Sequence, residues 1–177
     1  MSSRPAVFLD RDGTLIKEVN FLSRVEDLEI FDFTFNALEK LKSAGFGLIV
    51  VTNQSGIGRG LYTEADMHAI HREMDVQLDR MIDSYYFCPH LPDDGCHCRK
   101  PGIGMIESAC LEQRLSIEGS WMIGDKDLDV KTAFAANLRS AMVLTGYGSE
   151  HQVILKDDPE IIAEDLGEAV ERILAIS

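Results

Sequence analysis

Two aspartates one residue apart, Asp10-Arg11-Asp12, come directly after the apolar run Ala6–Leu9 and are followed by Gly13 and Thr14. If that run is a buried strand, both carboxylates leave one sheet edge together. One can then attack an electrophile while the other handles the leaving-group proton. In isolation the stretch would also suit a calcium-type loop or a turn. Two acids near a phosphate need a cation, and Asp125, just past the run Trp121–Ile123, offers a third oxygen ligand to complete a set suited to Mg²⁺. Asp129 follows one helical turn later, where it can support that carboxylate or the metal's waters, or simply face solvent. Thr52 ends the run Leu48–Val51, and its hydroxyl together with the backbone amides of Asn53 and Gln54 is expected to hold phosphoryl oxygens. Lys100, with Arg99 beside it, supplies the fixed positive charge on which phosphoryl transfer depends. Arg59 and Lys126 add further cations, Arg59 standing in the glycine-rich stretch Gly56–Gly60 that also reads as a surface loop.

A second cluster is Cys88-x-His90-x₅-Cys96-x-Cys98. Three thiolates and one imidazole are what a closed, tetrahedral structural Zn²⁺ takes, leaving no open position for catalysis. His97 could replace His90, though its place between Cys96 and Cys98 makes joint ligation awkward. Because the loop 88–98 runs straight into Arg99-Lys100, the zinc would fix a segment of little apolar content so that both cations point into the site. Cys110 stands apart in a predicted helix and reads as an inert core thiol.

The elements that must position these groups alternate. Apolar runs at Ala6–Leu9, Leu48–Val51, Tyr85–Phe87, Trp121–Ile123 and Ala141–Leu144 read as strands buried on both faces. Helical patterns lie between and after them at Phe33–Ser43, Thr63–Ser84, Met105–Arg114, Leu128–Ala136 and Ile161–Ile176. The helix from Thr63 opens on the capping box Thr63-x-x-Asp66. The order predicts a Rossmann-like α/β fold, doubly wound, with a mostly parallel sheet and helices on both faces. Ligands bind such sheets beyond the carboxyl ends of the strands, which is where all four polar loops fall. His68 and His71 on the long helix read as surface or boundary groups, Trp121 as packing, and Lys156–Glu160 as a solvated turn before the last helix.

The 177 residues suit one domain, 1–177, and insertions long enough for a separate cap domain are absent after Thr14 and Thr52. A net charge of −13 disfavours nucleic acid as a partner and requires any phosphate site to be made by locally gathered cations. No run approaches the roughly 18 apolar residues of a membrane span, and the amino-terminal run is too brief for a signal peptide, so the expected setting is the cytoplasm and the expected state a monomer.

Phe8-Leu-Asp10-Arg-Asp12-Gly-Thr-Leu15, Val50-Val-Thr52-Asn53-Gln-Ser-Gly56, Arg99-Lys100-Pro101 and Gly124-Asp125-Lys-Asp-Leu-Asp129 together resemble, in order and spacing, the four motifs of the haloacid dehalogenase superfamily phosphatases. Thr52–Gly60, Cys88-Pro-His90 and Cys96–Pro101 are similar to the branch containing the heptose-bisphosphate 7-phosphatases and the histidinol-phosphate phosphatases. The resemblance spans roughly residues 6 to 146. It implies an aspartyl-phosphate on Asp10, with Asp12 as acid and then base, and Mg²⁺ held by Asp10, the Asp12 carbonyl and Asp125. It implies phosphate contacts from Thr52, Asn53 and Lys100, and substrate contacts from Arg11, Glu18, Asn20, Phe21, Gln54, Ser55, Arg59, Arg99 and Lys126. Asn20-Phe21 departs from the Gly-Tyr of that branch.

The expected substrate is a small phosphorylated sugar, D-glycero-D-manno-heptose 1,7-bisphosphate before histidinol phosphate, because Arg59, Arg99 and Lys126 are surplus to a single phosphate. A zinc-stabilised binding protein with a dead site would lack one of Asp10, Asp12, Lys100 or Asp125, and all four are present.

Overall fold

The computed structural model describes residues 3–176. Six parallel strands form one sheet: β1 (Arg4–Leu9), β2 (Gly47–Asn53), β3 (Ser84–Cys88), β4 (Leu115–Gly124), β5 (Arg139–Val143) and β6 (Ile161–Ala163), ordered β3-β2-β1-β4-β5-β6. The helices are α1 (Thr34–Ser43), α2 (Ser55–Gly58), α3 (Glu64–Gln77), α4 (Gly104–Gln113), α5 (Asp127–Ala135), α6 (Gly148–Gln152) and α7 (Leu166–Ala175). This is the doubly wound α/β architecture that the alternation of apolar runs predicts. The strand order reverses between β1 and β4, so the crevice of such a sheet opens at the ends of those two strands.

Alternation along the central strands divides the core in two. Val7 and Leu9 face a cluster with residues of α1, α3 and α7, whereas Ala6 and Phe8 face one with residues of α4 and α5. Both faces are therefore dry, and the run Ala6–Leu9 is wholly buried.

Four boundaries differ from the sequence reading. The helix expected over 63–84 is α3 alone, capped by Thr63, whose hydroxyl accepts from the Asp66 amide. It stops because Asp79 and Arg80 take left-handed backbone conformations (φ 50° and 53°), after which the chain turns into β3. Leu78 continues the apolar pattern from within the turn, since it is buried there without being helical. The helix expected over 161–176 is instead a strand followed by a helix. Ile161 and Ala163 are buried on β6, and α7 begins after Asp165, whose carboxylate accepts from the Glu168 amide at 2.9 Å. The run Lys156–Glu160 thus leads into a strand, with Glu160 paired to Arg139. β4 begins six residues ahead of Trp121, in line with Arg4 of β1, and a register shift lies between Pro5 and Val7.

Candidate active site

The β1–β4 register pairs Leu9 with Ile123, and the Asp10 amide donates to the Ile123 carbonyl at 2.9 Å, so the residues following both strands emerge side by side. Carboxylate oxygens of Asp10, Asp125 and Asp129 lie within 4.8 Å of one another, all three side chains buried. Lys100 Nζ stands among them, 2.9 Å from Asp10 Oδ1 and 2.5 Å from Asp129 Oδ1. Burial pushes Asp10 up, but Lys100 and Lys126 outweigh it and hold the group below the ordinary carboxylate range. Asp125 goes the other way: burial, with Asp10 and Asp129 beside it, pushes it up to about 8.

Asp125 Oδ1 is buried without a hydrogen-bond partner among the described residues, while Oδ2 accepts from the Tyr147 amide at 2.8 Å. An orphaned oxygen of this kind within a carboxylate cluster fits a hard divalent cation such as Mg²⁺. The cluster is closely walled. A Cβ at Gly13 or at Gly146, both at positive φ, would come within 2.3 Å of Asp125 Oδ2.

The Asp12 carboxylate is not one of that cluster. Its oxygens accept from Arg11 Nε (2.9 Å), Arg11 Nη2 (3.0 Å) and Gln54 Nε2 (3.0 Å). Arg11 is 1% exposed and Gln54 3%, and each hydrogen-bonds mainly to neighbouring side chains. Gln54 Nε2 also donates to Thr52 Oγ1 at 2.8 Å, and its Oε1 accepts from Arg11 Nη2 and the Tyr62 hydroxyl. The Gln54 backbone amide, expected to hold phosphate, donates to the Cys88 carbonyl at 2.7 Å and is already engaged. That bond follows from the β2–β3 register, which sets Asn53 opposite Cys88. The Asn53 side chain brackets the backbone of Lys100, accepting from its amide at 3.0 Å and donating to its carbonyl at 3.2 Å.

Asp10, Asp12, Thr52, Asn53, Lys100, Lys126 and Asp129 line one small recess of about 40 Å³, so the loops after β1, β2, β3 and β4 converge as their spacing predicts. A larger cleft of about 210 Å³ adjoins it, walled by Glu18, Asn20, Phe21, Ser55 and Arg99 together with Arg11, Asp12, Asn53, Gln54 and Lys126. Arg59 stands outside that wall, exposed, with its guanidinium 5.7 Å from the Phe21 ring centroid. Phe21 sits at φ 63°, a left-handed conformation that a phenylalanine rarely takes. Lys126 Nζ lies 3.6 Å from Glu18 Oε2 and 5.0 Å from the Tyr147 ring centroid. Burial and the charge of Asp12 push Glu18 upward.

The four atoms expected to bind zinc are gathered too. Cys88 Sγ lies 3.4 Å from His90 Nδ1, 3.5 Å from Cys96 Sγ and 3.2 Å from Cys98 Sγ, with all four ligand atoms inside 4.8 Å. Ligand atoms on a Zn–S bond of about 2.3 Å are separated by roughly the same distances in a tetrahedron, so the donor set and its shape fit Zn²⁺. His97 is turned aside, its Nε2 paired with Glu107 at 2.6 Å, which leaves His90 as the nitrogen ligand. Arg99 Nη1 donates to the His90 carbonyl at 3.2 Å, tying the cleft to this loop.

Three residues near the site were not anticipated. His71, expected as a surface or boundary group, is 4% exposed and bonds Arg11 through Nε2 at 3.2 Å. Tyr62 and Tyr147 line the cleft. Tyr147 had a usable signal, because it lies in the loop after β5, at the same strand ends that supply the other groups. Tyr62 and His71 had none, since only the packing of α3 against the sheet brings them to Gln54 and Arg11.

The HAD-hydrolase-like family matches residues 97–169, and the polynucleotide kinase 3 phosphatase family matches residues 6–128. The probable D-glycero-D-manno-heptose-1,7-bisphosphate 7-phosphatase of Thermoplasma acidophilum is 44% identical over 138 residues, covering 75% of this chain and 84% of that one. The D-glycero-beta-D-manno-heptose-1,7-bisphosphate 7-phosphatase of Escherichia coli K12 is 41% identical over 155 residues, 81% of each chain. Among solved structures, D,D-heptose 1,7-bisphosphate phosphatase from B. bronchiseptica, complexed with magnesium and phosphate, superposes with a TM-score of 0.90 at 30% identity, over 98% of this chain and 99% of that one.

Proposed function

The chain belongs to the haloacid dehalogenase-like phosphatases, and from that premise we propose that it is a Mg²⁺-dependent 7-phosphatase of D-glycero-D-manno-heptose 1,7-bisphosphate working through a phosphorylated Asp10. The observation that carries the catalytic part is the Asp10 carboxylate, buried yet kept ionised by Lys100 beside an unpartnered Asp125 oxygen. A nucleophile must be deprotonated, and a low-lying Asp10 is so at any physiological pH. Asp10, the Asp12 carbonyl and Asp125 would hold Mg²⁺, which when bound neutralises charge on the phosphoryl oxygens.

Lys100 and the Thr52 hydroxyl orient the phosphoryl group for in-line attack by Asp10. The Asp12 carboxyl gives its proton to the departing alkoxide, then takes one from the water that cleaves the acyl phosphate. Arg99 and Lys126, beyond the reacting centre, hold the second phosphate, a task for which an arginine fork is suited. Zinc on Cys88, His90, Cys96 and Cys98 sets the course of the chain into Arg99, and thiolate ligation of this kind accords with a reducing cytoplasmic setting. The polynucleotide kinase 3 phosphatase match extends over the same motifs, but a net charge of −13 opposes a nucleic-acid strand.

The test is phosphate release, with and without Mg²⁺, from the heptose 1,7-bisphosphate, a heptose monophosphate and histidinol phosphate. The reading expects the highest kcat/KM for the bisphosphate and none of the activity in Asp10→Asn. Equal or better efficiency with histidinol phosphate overturns the substrate, and near-normal turnover by Asp10→Asn overturns the mechanism.

A further inference from the structure

We infer that His71 and Tyr62, which touch neither the carboxylate cluster nor the phosphate-holding groups, are positioning residues that aim the Asp12 carboxylate. The inference rests on the reading of Asp12 as the group that hands a proton to the leaving oxygen.

Among the described residues the Asp12 carboxylate has two holders, Arg11 and Gln54, and each is itself held from α3 or its lead-in. Arg11 spends Nε and Nη2 on Asp12 and Gln54, and Nη1 has one hydrogen-bond partner among the described residues, His71 Nε2. A guanidinium only donates, so that nitrogen must be the unprotonated one, which fixes both the neutral state and the tautomer of His71. The His71 ring is clamped in turn by stacking on Tyr85, centroids 4.4 Å apart at 15°. Tyr62 directs its hydroxyl at Gln54 Oε1. With Arg11 donating to the same oxygen and Asp12 accepting from Nε2, only one orientation of the Gln54 amide satisfies every partner.

The planar Arg11 fork sets the plane of the Asp12 carboxylate, so a tilt of the guanidinium or a rotation of the amide moves the reacting oxygen. Misplacements well below the length of a hydrogen bond suffice to weaken proton transfer. His71 and Tyr62 therefore act on the proton step, while Asp10, Lys100 and the metal ligands stay where they are.

The experiment uses the full chain with Mg²⁺ and compares two leaving groups in a single turnover: a sugar phosphate, whose alkoxide must be protonated, and p-nitrophenyl phosphate, whose phenolate need not be. His71→Phe keeps the ring and loses the acceptor; Tyr62→Phe loses one hydroxyl; His71→Gln restores an acceptor. The first two should slow release of the sugar about tenfold with KM within about twofold and leave p-nitrophenol release nearly unchanged, whereas His71→Gln should keep most of the parent's sugar release. Asp12→Asn is the reference and should show the same selectivity more strongly. Equal losses on both leaving groups, or no loss on the sugar phosphate, overturn the inference. If Asp12→Asn itself shows no selectivity, it is the underlying role of Asp12 that has failed. Should His71→Phe not fold, Tyr62→Phe carries the same comparison, since it leaves the core volume unchanged.

Discussion

Lys100 Nζ lies 2.9 Å from Oδ1 of Asp10, a residue ninety positions earlier in the chain, and both side chains are buried. The lysine thus sets the charge of the proposed nucleophile and holds together a cluster of acids that would otherwise repel. Lys100→Met should lower kcat/KM by about a thousandfold, or about 4 kcal/mol. It should also destabilise the fold by about 3–5 kcal/mol in urea, because Asp10 and Asp129 lose their shared cation. Adding Asp129→Asn should recover part of the stability and none of the activity. Stability equal to the parent in Lys100→Met would remove the structural half of this account.

Asp125 predicts an exchange of stability for function. Its buried carboxyl is pushed up to about 8 by burial and by Asp10 and Asp129, and one oxygen has no partner among the described residues. In metal-free protein Asp125→Asn should melt at the same temperature as the parent or higher, since a neutral amide removes the repulsion. The parent should gain Tm with Mg²⁺ and the variant should not, with activity lost. A Mg²⁺-dependent rise in Asp125→Asn would exclude this residue as a ligand.

For the thiolate cluster, elemental analysis should find about one zinc per chain, absent in Cys96→Ala. Removal of that metal should cut turnover of the bisphosphate more than turnover of p-nitrophenyl phosphate, because Arg99 bonds the His90 carbonyl. Zinc-free protein with full activity on both would reduce the cluster to a bystander.

Arg99→Ala should reproduce that pattern without loss of zinc. We expect its kcat/KM on the bisphosphate to fall about ten- to hundredfold, or about 1.4–2.7 kcal/mol, and on a simple monophosphate by far less. Matched losses would place the second phosphate elsewhere in the cleft.

His71 makes stability fall in acid. Burial, Arg11 and His68 depress it from 6.5 to about 3, with the Tyr85 ring stacked on its other face and Asp75 held by the Tyr85 hydroxyl. A depressed folded pKa means that the unfolded chain takes up the proton first. The contribution is therefore intact above pH 6.5 and is lost as pH falls toward 3, at up to about 1.4 kcal/mol per unit. His71→Gln should flatten the urea midpoint against pH between 6.5 and 4. An unchanged slope would mean that other groups set the acid limb.

Motif spacing made the chemistry legible because a parallel sheet exposes its polar loops at one edge: Asp10 and Asp125 follow β1 and β4, Thr52 lies near the end of β2 and Lys100 in the loop after β3, and Asp10, Thr52 and Lys100 line one recess with Asp125 clustered against Asp10. What spacing does not convey is the direction of a side chain. Arg11 and Gln54, which the family resemblance marks as substrate contacts, line the cleft and also hold the Asp12 carboxylate, a second task that spacing does not reveal. Periodicity failed where burial and helicity part company. Leu78 is buried in a turn, and Ile161 and Ala163 are buried on a strand beside a helical pattern.

The β1–β4 pairing that sets Asp10 beside Asp125 also has a consequence in time. Asp125 lies 115 residues after Asp10, so at a synthesis rate of about 5–20 residues per second the Asp10 loop waits on the order of ten seconds for its acidic partner. During that wait β1, destined to be buried on both faces, has no β4 to lie against. On the proposed mechanism, a nascent chain halted before Asp125 would carry the first motif complete and hydrolyse nothing, and activity would await the second half of the sheet.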